Sequence, residues 1–257
     1  MMVRVENRKL FTGILVALIA LAWLGLWLWG ESPYGRYLDH STLSELSGDD
    51  AILLVFFVLG WTLMVFAMML PTSLPLITLF QTMTRDRPDH KLLVALLITG
   101  YLGAWTWFGV AVHLADFAVH QISEQSVWLT TNSWVFGAVV LIMAGIYQFT
   151  PLKYHCLDKC RSPLSFIMGH WTGKNERTQA LRLGLHHGVF CIGCCWSLML
   201  LMFAVGSGSV GWMLILGALM AVEKNLPWGR RFGKPLGVLL LGWGIAIALG
   251  TQTLSIL

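Results

Sequence analysis

AILLVFFVLGWTLMVFAMML, residues 51–70, holds twenty consecutive residues without a charge. As a helix rising 1.5 Å per residue, such a stretch covers about 30 Å, the thickness of a bilayer's hydrocarbon core. Six further apolar segments surround it in the sequence, at 11–29, 92–118, 134–150, 183–205, 210–222 and 236–254. The segment 210–222 is short for a full crossing, so six spans are the fallback to seven. Nothing alternates in the manner of a lipid-facing barrel strand, and an open sheet would leave backbone groups unpaired in lipid. The expected fold is therefore all-α: a polytopic transmembrane helix bundle of about seven helices. Residues 1–257 read as a single integral membrane domain. It has an N-terminal helix at 11–29 and a six-helix core at 51–254, with a Cys/His loop at 151–182 facing the cytoplasm.

Composition agrees. The 257 residues are 56% hydrophobic and 12% charged, far from a soluble globular balance. Of the thirteen tryptophans, Trp27, Trp29, Trp128, Trp134, Trp171 and Trp228 fall near segment ends, where amphipathic rings favour the headgroup region. Trp61, Trp105 and Trp107 fall inside segments and read as helix packing. The opening residues Arg4, Arg8 and Lys9 before an apolar run resemble a signal peptide. The run is long and Trp-rich, with no small-residue cleavage site, so a retained first helix is the better reading.

Cations set the orientation. Seven crossings with a cytoplasmic N-terminus put sixteen of the seventeen Lys and Arg residues inside, leaving only Arg36 outside beside Glu31, Asp39, Glu45, Asp49 and Asp50. The expected location is a bacterial inner membrane, with the C-terminus outside and the lipid bilayer as the main partner. The asymmetry accounts for the net charge of +4 without a nucleic-acid partner.

Chemistry concentrates in one window. Residues 155–195 contain all five cysteines and four of the eight histidines. His186-His187-Gly188 leads into Cys191-Ile192-Gly193-Cys194-Cys195 on the fifth segment. There His187, Cys191, Cys194 or Cys195, Met199 and Met202 recur at three- and four-residue steps and share a helix face. Imidazole, thiolate and thioether soften in that order, and soft sulfur donors select Cu(I), with Zn(II) second. Packing alone would explain Met199 and Met202; three cysteines within five residues beside two histidines point to a site. The preceding loop adds His155, Cys156 and Cys160. That C-x3-C pair stands among Lys153, Lys159 and Arg161, cations that favour thiolates. Cytosolic thiols stay reduced, which favours metal binding or transient redox work over a structural disulfide. The expected metal site comprises Cys156, Cys160, Cys191, Cys194, Cys195, His187, His186 and His155, holding copper by preference or zinc. Cys156 or Cys160 is expected to share one ion with the helix cysteines.

Secondary candidates carry stronger structural readings. His113, Asp116 and His120 step along one face near the outer end of the third segment, where hydration alone would keep them. Met64, Met68 and Met69 form a thioether group read mainly as packing. Glu223, beside Lys224, reads as a ligand, a proton carrier or half of an ion pair, with the ion pair the expected arrangement. The tract 163–171 is too apolar for a free loop and should lie at the interface or against the bundle.

Several stretches resemble a bacterial and archaeal family of predicted metal-binding integral membrane proteins of unknown function. They are Ala67-Met68-Met69-Leu70-Pro71, Gly100-Tyr101-Leu102 and Gly145-Ile146-Tyr147-Gln148-Phe149-Thr150-Pro151-Leu152-Lys153. Cys156-Leu157-Asp158-Lys159-Cys160-Arg161-Ser162-Pro163, the run 188–199 and Glu223-Lys224 continue the match, which covers about residues 51–244. The turn 206–209 departs from it, lacking the more apolar, Met-containing sequence expected. The resemblance implies membrane location and metal binding.

Three functions compete on this reading. The first is a metal-handling membrane protein that transports, buffers or delivers copper, with a metal-delivery or membrane protein as a possible partner. The second is a thiol-disulfide oxidoreductase working through Cys191 and Cys194. The third is an assembly factor with a structural zinc site. No P-loop or aspartyl-phosphate motif is present, so ATP-driven pumping by this chain alone is not expected, and no catalytic residues are assigned.

Overall fold

The computed structural model describes residues 2–30, 50–125, 134–205 and 210–250, all as helices joined by short turns. The order is α1 (Met2–Gly30), α2 (Asp50–Thr84), α3 (His90–Glu124), α4 (Trp134–Tyr147), α5 (Pro151–Arg161), α6 (Pro163–His170), α7 (Glu176–Val205), α8 (Val210–Asn225) and α9 (Gly229–Ala248). Each expected segment carries a helix over most of its described residues. By length and apolarity four helices among the described residues, α2, α3, α7 and α9, suffice to cross a membrane, and the bent pair α4–α5 makes five. α1 is apolar over Gly13–Leu28, and α8 has 16 residues. The outer turn 206–209, His40, Trp128 and the side chains of Trp29 and His120 lie outside the described residues.

Two boundaries differ from expectation. α2 does not stop before Pro71 but continues through Pro71 and Pro75 to Thr84. Proline removes the backbone donor that would have reached the carbonyl four residues back. The Ala67 carbonyl, orphaned by Pro71, instead accepts the Trp23 indole N–H of α1 at 3.1 Å. α1 therefore docks where the proline would otherwise leave a buried acceptor unpaired. The tract 151–182 is not a loop but α5, α6 and the first turns of α7. Pro151 opens α5 at a position where a missing N–H costs nothing, and Thr150 caps it, its side chain accepting from Lys153 N. The break bends α5 from α4 by 66°, turning its cysteines toward α7.

The tightest contact joins α3 and α7. A Cβ on Gly184 would lie 1.9 Å from the Leu97 carbonyl oxygen, and one on Gly100 2.2 Å from that of Leu181. Small residues here let the two backbones touch, a packing mode suited to lipid. Around this pair α2 lies against α3, α1 and α8, α5 lies on α7, and α4 pairs with α9. Large apolar side chains on the outside, such as Val238, Leu239 and Leu214, suit an apolar surrounding. Trp61 and Trp105 are buried as packing residues, whereas Trp107 is 77% exposed, against the expectation of helix packing. Trp171 packs edge-on against Phe80 at 5.0 Å, and α6 buries Phe166 and Ile167 while leaving Leu164 and Met168 outside.

Candidate metal centre

α7 starts at Glu176 and not near residue 183. Cys191 therefore lies fifteen residues in, about 22 Å along the axis and midway through the helix. His187, Cys191, Cys194, Cys195, Met199 and Met202 are all buried, as one inward stripe requires. Around Cys191 four other helices contribute. Tyr101 of α3 places its hydroxyl 3.0 Å from Cys191 Sγ and 3.3 Å from the Met69 carbonyl oxygen, to which it donates. Lys224 of α8 places Nζ 2.8 Å from Cys191 Sγ and 3.3 Å from Thr72 Oγ1. The same ammonium lies 3.8 Å from Cys195 Sγ and 3.9 Å from Met69 Sδ. From α5, Cys160 lies near enough to Cys191 and Cys194 for their thiols to act on one another electrostatically. All five cysteines are free thiols. Cys194 and Cys195 both direct Sγ to the Cys191 carbonyl oxygen, at 3.1 and 2.9 Å.

The loop and helix cysteines thus come together, but unequally. Cys160 joins the cluster, while Cys156 rests on Gly193, whose absent Cβ would meet Cys156 Sγ at 2.5 Å. Tyr147 fixes that turn by donating its hydroxyl to the Gly193 carbonyl. His186 and His155 are exposed, unlike the buried thiols of α7. His187 is buried and hydrogen-bonds Ser73 Oγ through Nε2 at 3.2 Å. Among the described residues, no three His, Cys, Asp or Glu side chains are arranged to hold a metal ion. A cation nevertheless stands among the sulfurs: the Lys224 ammonium faces Cys191, Cys195 and Met69. Cys195 Sγ and Met69 Sδ are 3.9 Å apart. Two sulfurs bound at about 2.3 Å to one trigonal ion would be about 4.0 Å apart, so this spacing suits shared ligation.

The expected Glu223–Lys224 pair does not form. Neighbouring residues on a helix project about 100° apart and do not face each other. Lys224 turns to the thiols, and Glu223 accepts from Lys153 Nζ at 2.6 Å, with both side chains almost fully buried. Gln148 Oε1 is a further acceptor for Lys153. Arg161 caps the end of α8, donating to the Glu223 carbonyl at 2.5 Å and to the Pro227 carbonyl at 3.1 Å. These contacts fix the turn from which Lys224 projects.

The secondary candidates separate in the same way. Met68 packs beside Gly217, and its neighbour Met69 is the thioether that reaches the cluster. Met199 is fully buried, as packing predicts. The His113 ring stacks on Phe57 at 4.5 Å. Asp116 lies near enough to act on it electrostatically. Sequence reasoning named Met69 only within a thioether group read as packing, and Lys153 and Arg161 only as cations beside the C-x3-C pair. Tyr101 and Lys224 carried no ligand signal beyond membership in the stretches shared with the metal-binding membrane family, and Thr72 carried none.

The fold and the site define an all-helical, membrane-type bundle with a buried, sulfur-rich centre. The chain belongs to the PpoB2 family, described as "Copper chaperone", whose model matches residues 58–247. That membership gives it a copper-related role. No curated protein and no solved structure matches the chain.

Proposed function

We propose that the protein is a membrane copper chaperone that binds Cu(I) as cargo at the buried sulfur centre, for delivery or transport. The thiols of Cys160, Cys191, Cys194 and Cys195 and the Met69 thioether form this centre. The observation that carries the reading is that sulfurs from α2 and α7 converge, beside the α5 thiol, on the position held by the Lys224 ammonium. A thioether adds much to a Cu(I) site and little to a Zn(II) site, which favours copper. Lys224 supplies the positive charge that balances thiolate in a dry interior while the ion is absent. Incoming Cu(I) takes over that balance, and each thiol that binds gives up its proton. Cys156, set against Gly193, and the imidazole of His187 border the centre. The cation-rich tract that includes α5 and α6 favours uptake on the cytoplasmic side of an inner membrane.

The test is copper content and Cu(I) affinity of protein purified without oxygen, measured by metal analysis and by competition with a chromophoric chelator. Wild type should hold copper in stoichiometric amount and bind it in preference to zinc. Serine at Cys160, Cys191, Cys194 or Cys195 keeps volume while removing a ligand, and each should weaken binding by about tenfold or more. Wild-type protein that binds no copper would refute the proposal.

A further inference from the structure

His170 and His186 meet on the outer surface where the end of α6 touches α7, and the thiol centre does not use either. Their ring centroids are 5.2 Å apart, with the planes at 72°. Both side chains are exposed. His170 Nδ1 lies 2.9 Å from the Phe166 carbonyl oxygen. A carbonyl only accepts, so Nδ1 carries the proton and the Nε2 lone pair is left for a ligand. A backbone carbonyl holding the far nitrogen in this way is the support that metal-binding imidazoles usually have. An imidazole nitrogen bonded at about 2.0–2.1 Å puts its ring centre about 3.2 Å from the ion. Two rings sharing an ion at angles between tetrahedral and trigonal then have centres about 5.2–5.5 Å apart. The observed spacing falls in that range.

A second observation concerns the next residue of α7. His187 follows His186 on α7, is 3% exposed, and has a buried Nδ1 with no hydrogen-bond partner among the described residues. Such an orphaned nitrogen in an interior needs a reason. Phe166 lies against both levels, its ring centroid 4.6 Å from that of His170 and 5.5 Å from that of His187. One helical turn beyond His187 stands Cys191.

We propose that His170 and His186 form a two-imidazole capture site for Cu(I) at the rim of the bundle, from which the ion passes through His187 to Cys191. The idea rests on the reading of the thiol centre as the copper site. At the rim the two imidazoles leave a third position for the thiolate or other donor of the molecule that brings the ion. Transfer is ligand exchange at constant oxidation state. Each step forms one bond from copper to the next donor and breaks one to the last. Cys191 takes the ion as the thiolate that Lys224 already balances, so the last exchange moves no proton.

The experiment uses the full chain in detergent micelles and Cu(I) supplied as a chromophoric chelate. Stopped-flow loading is compared between wild type and H170Q/H186Q, two exposed positions whose change leaves the fold intact. The double variant should load at least about tenfold more slowly while its equilibrium affinity changes less than about twofold. An unchanged loading rate would overturn the proposal. The pair is also read without the thiol centre. In C191S/C195S, Cu(I) should protect His170 and His186 from carbethoxylation by diethyl pyrocarbonate, scored by mass spectrometry. Absent protection would overturn the capture site. Protection in a protein whose wild type never fills the thiol centre would keep the capture site and refute the thiol reading alone.

Discussion

Glu223→Gln should destabilise the protein severely, and only Lys153→Met should repair it. Lys153 and Glu223 are 0% and 3% exposed, with Nζ and Oε1 2.6 Å apart. At an effective dielectric constant near 20, unit charges at that distance attract by about 6 kcal/mol. Glutamine keeps the size of the side chain and an oxygen that accepts from Lys153, so a charge-assisted hydrogen bond of about 1.5–3 kcal/mol survives. The remainder, about 3–5 kcal/mol, matches the usual cost of leaving one partner of a buried pair unopposed. For a chain of this size that is a fall in Tm of roughly 6–20 °C, measured by thermal unfolding in detergent micelles. Glu223→Gln with Lys153→Met removes both charges and should recover most of the loss, whereas Glu223→Gln with Lys224→Met should not. A loss below about 1 kcal/mol, or repair by Lys224→Met, would refute the assignment of Glu223 to Lys153.

Met69→Leu, which keeps apolar volume and removes the thioether, should weaken Cu(I) binding by about tenfold. Met68→Leu and Met199→Leu should leave affinity nearly unchanged in the same competition titration; equal effects at all three would remove Met69 from the site. Gly184→Ala drives a methyl into the Leu97 carbonyl oxygen, 1.9 Å from the ideal Cβ position. It should cost about 1–3 kcal/mol of stability by overpacking. It should also loosen copper binding, because Tyr101 sits one turn from Leu97 on the helix that is pushed away; unaltered unfolding would show that α3 and α7 do not touch there.

The sequence by itself determined the helical bundle, because twenty uncharged residues admit few structures in lipid and because apolar segments of similar length recur along the chain. It also determined the inward stripe of α7, since the period of 3.6 residues places His187, Cys191, Cys195, Met199 and Met202 on one side whatever packs against them. The partners of that stripe were decided only by tertiary structure. Nothing local distinguishes Met69 from Met68, or sends Lys224 to Cys191 and Glu223 to Lys153. Those choices depend on the rotation of α2 and α8 about their axes, set by contacts such as Met68 on Gly217 and Arg161 on the end of α8. The same holds for Cys160, which is in the centre because Pro151 breaks the chain and the 66° bend lays α5 across α7. Periodicity fixes which residues share a face, and only packing between helices distant in sequence fixes what that face meets.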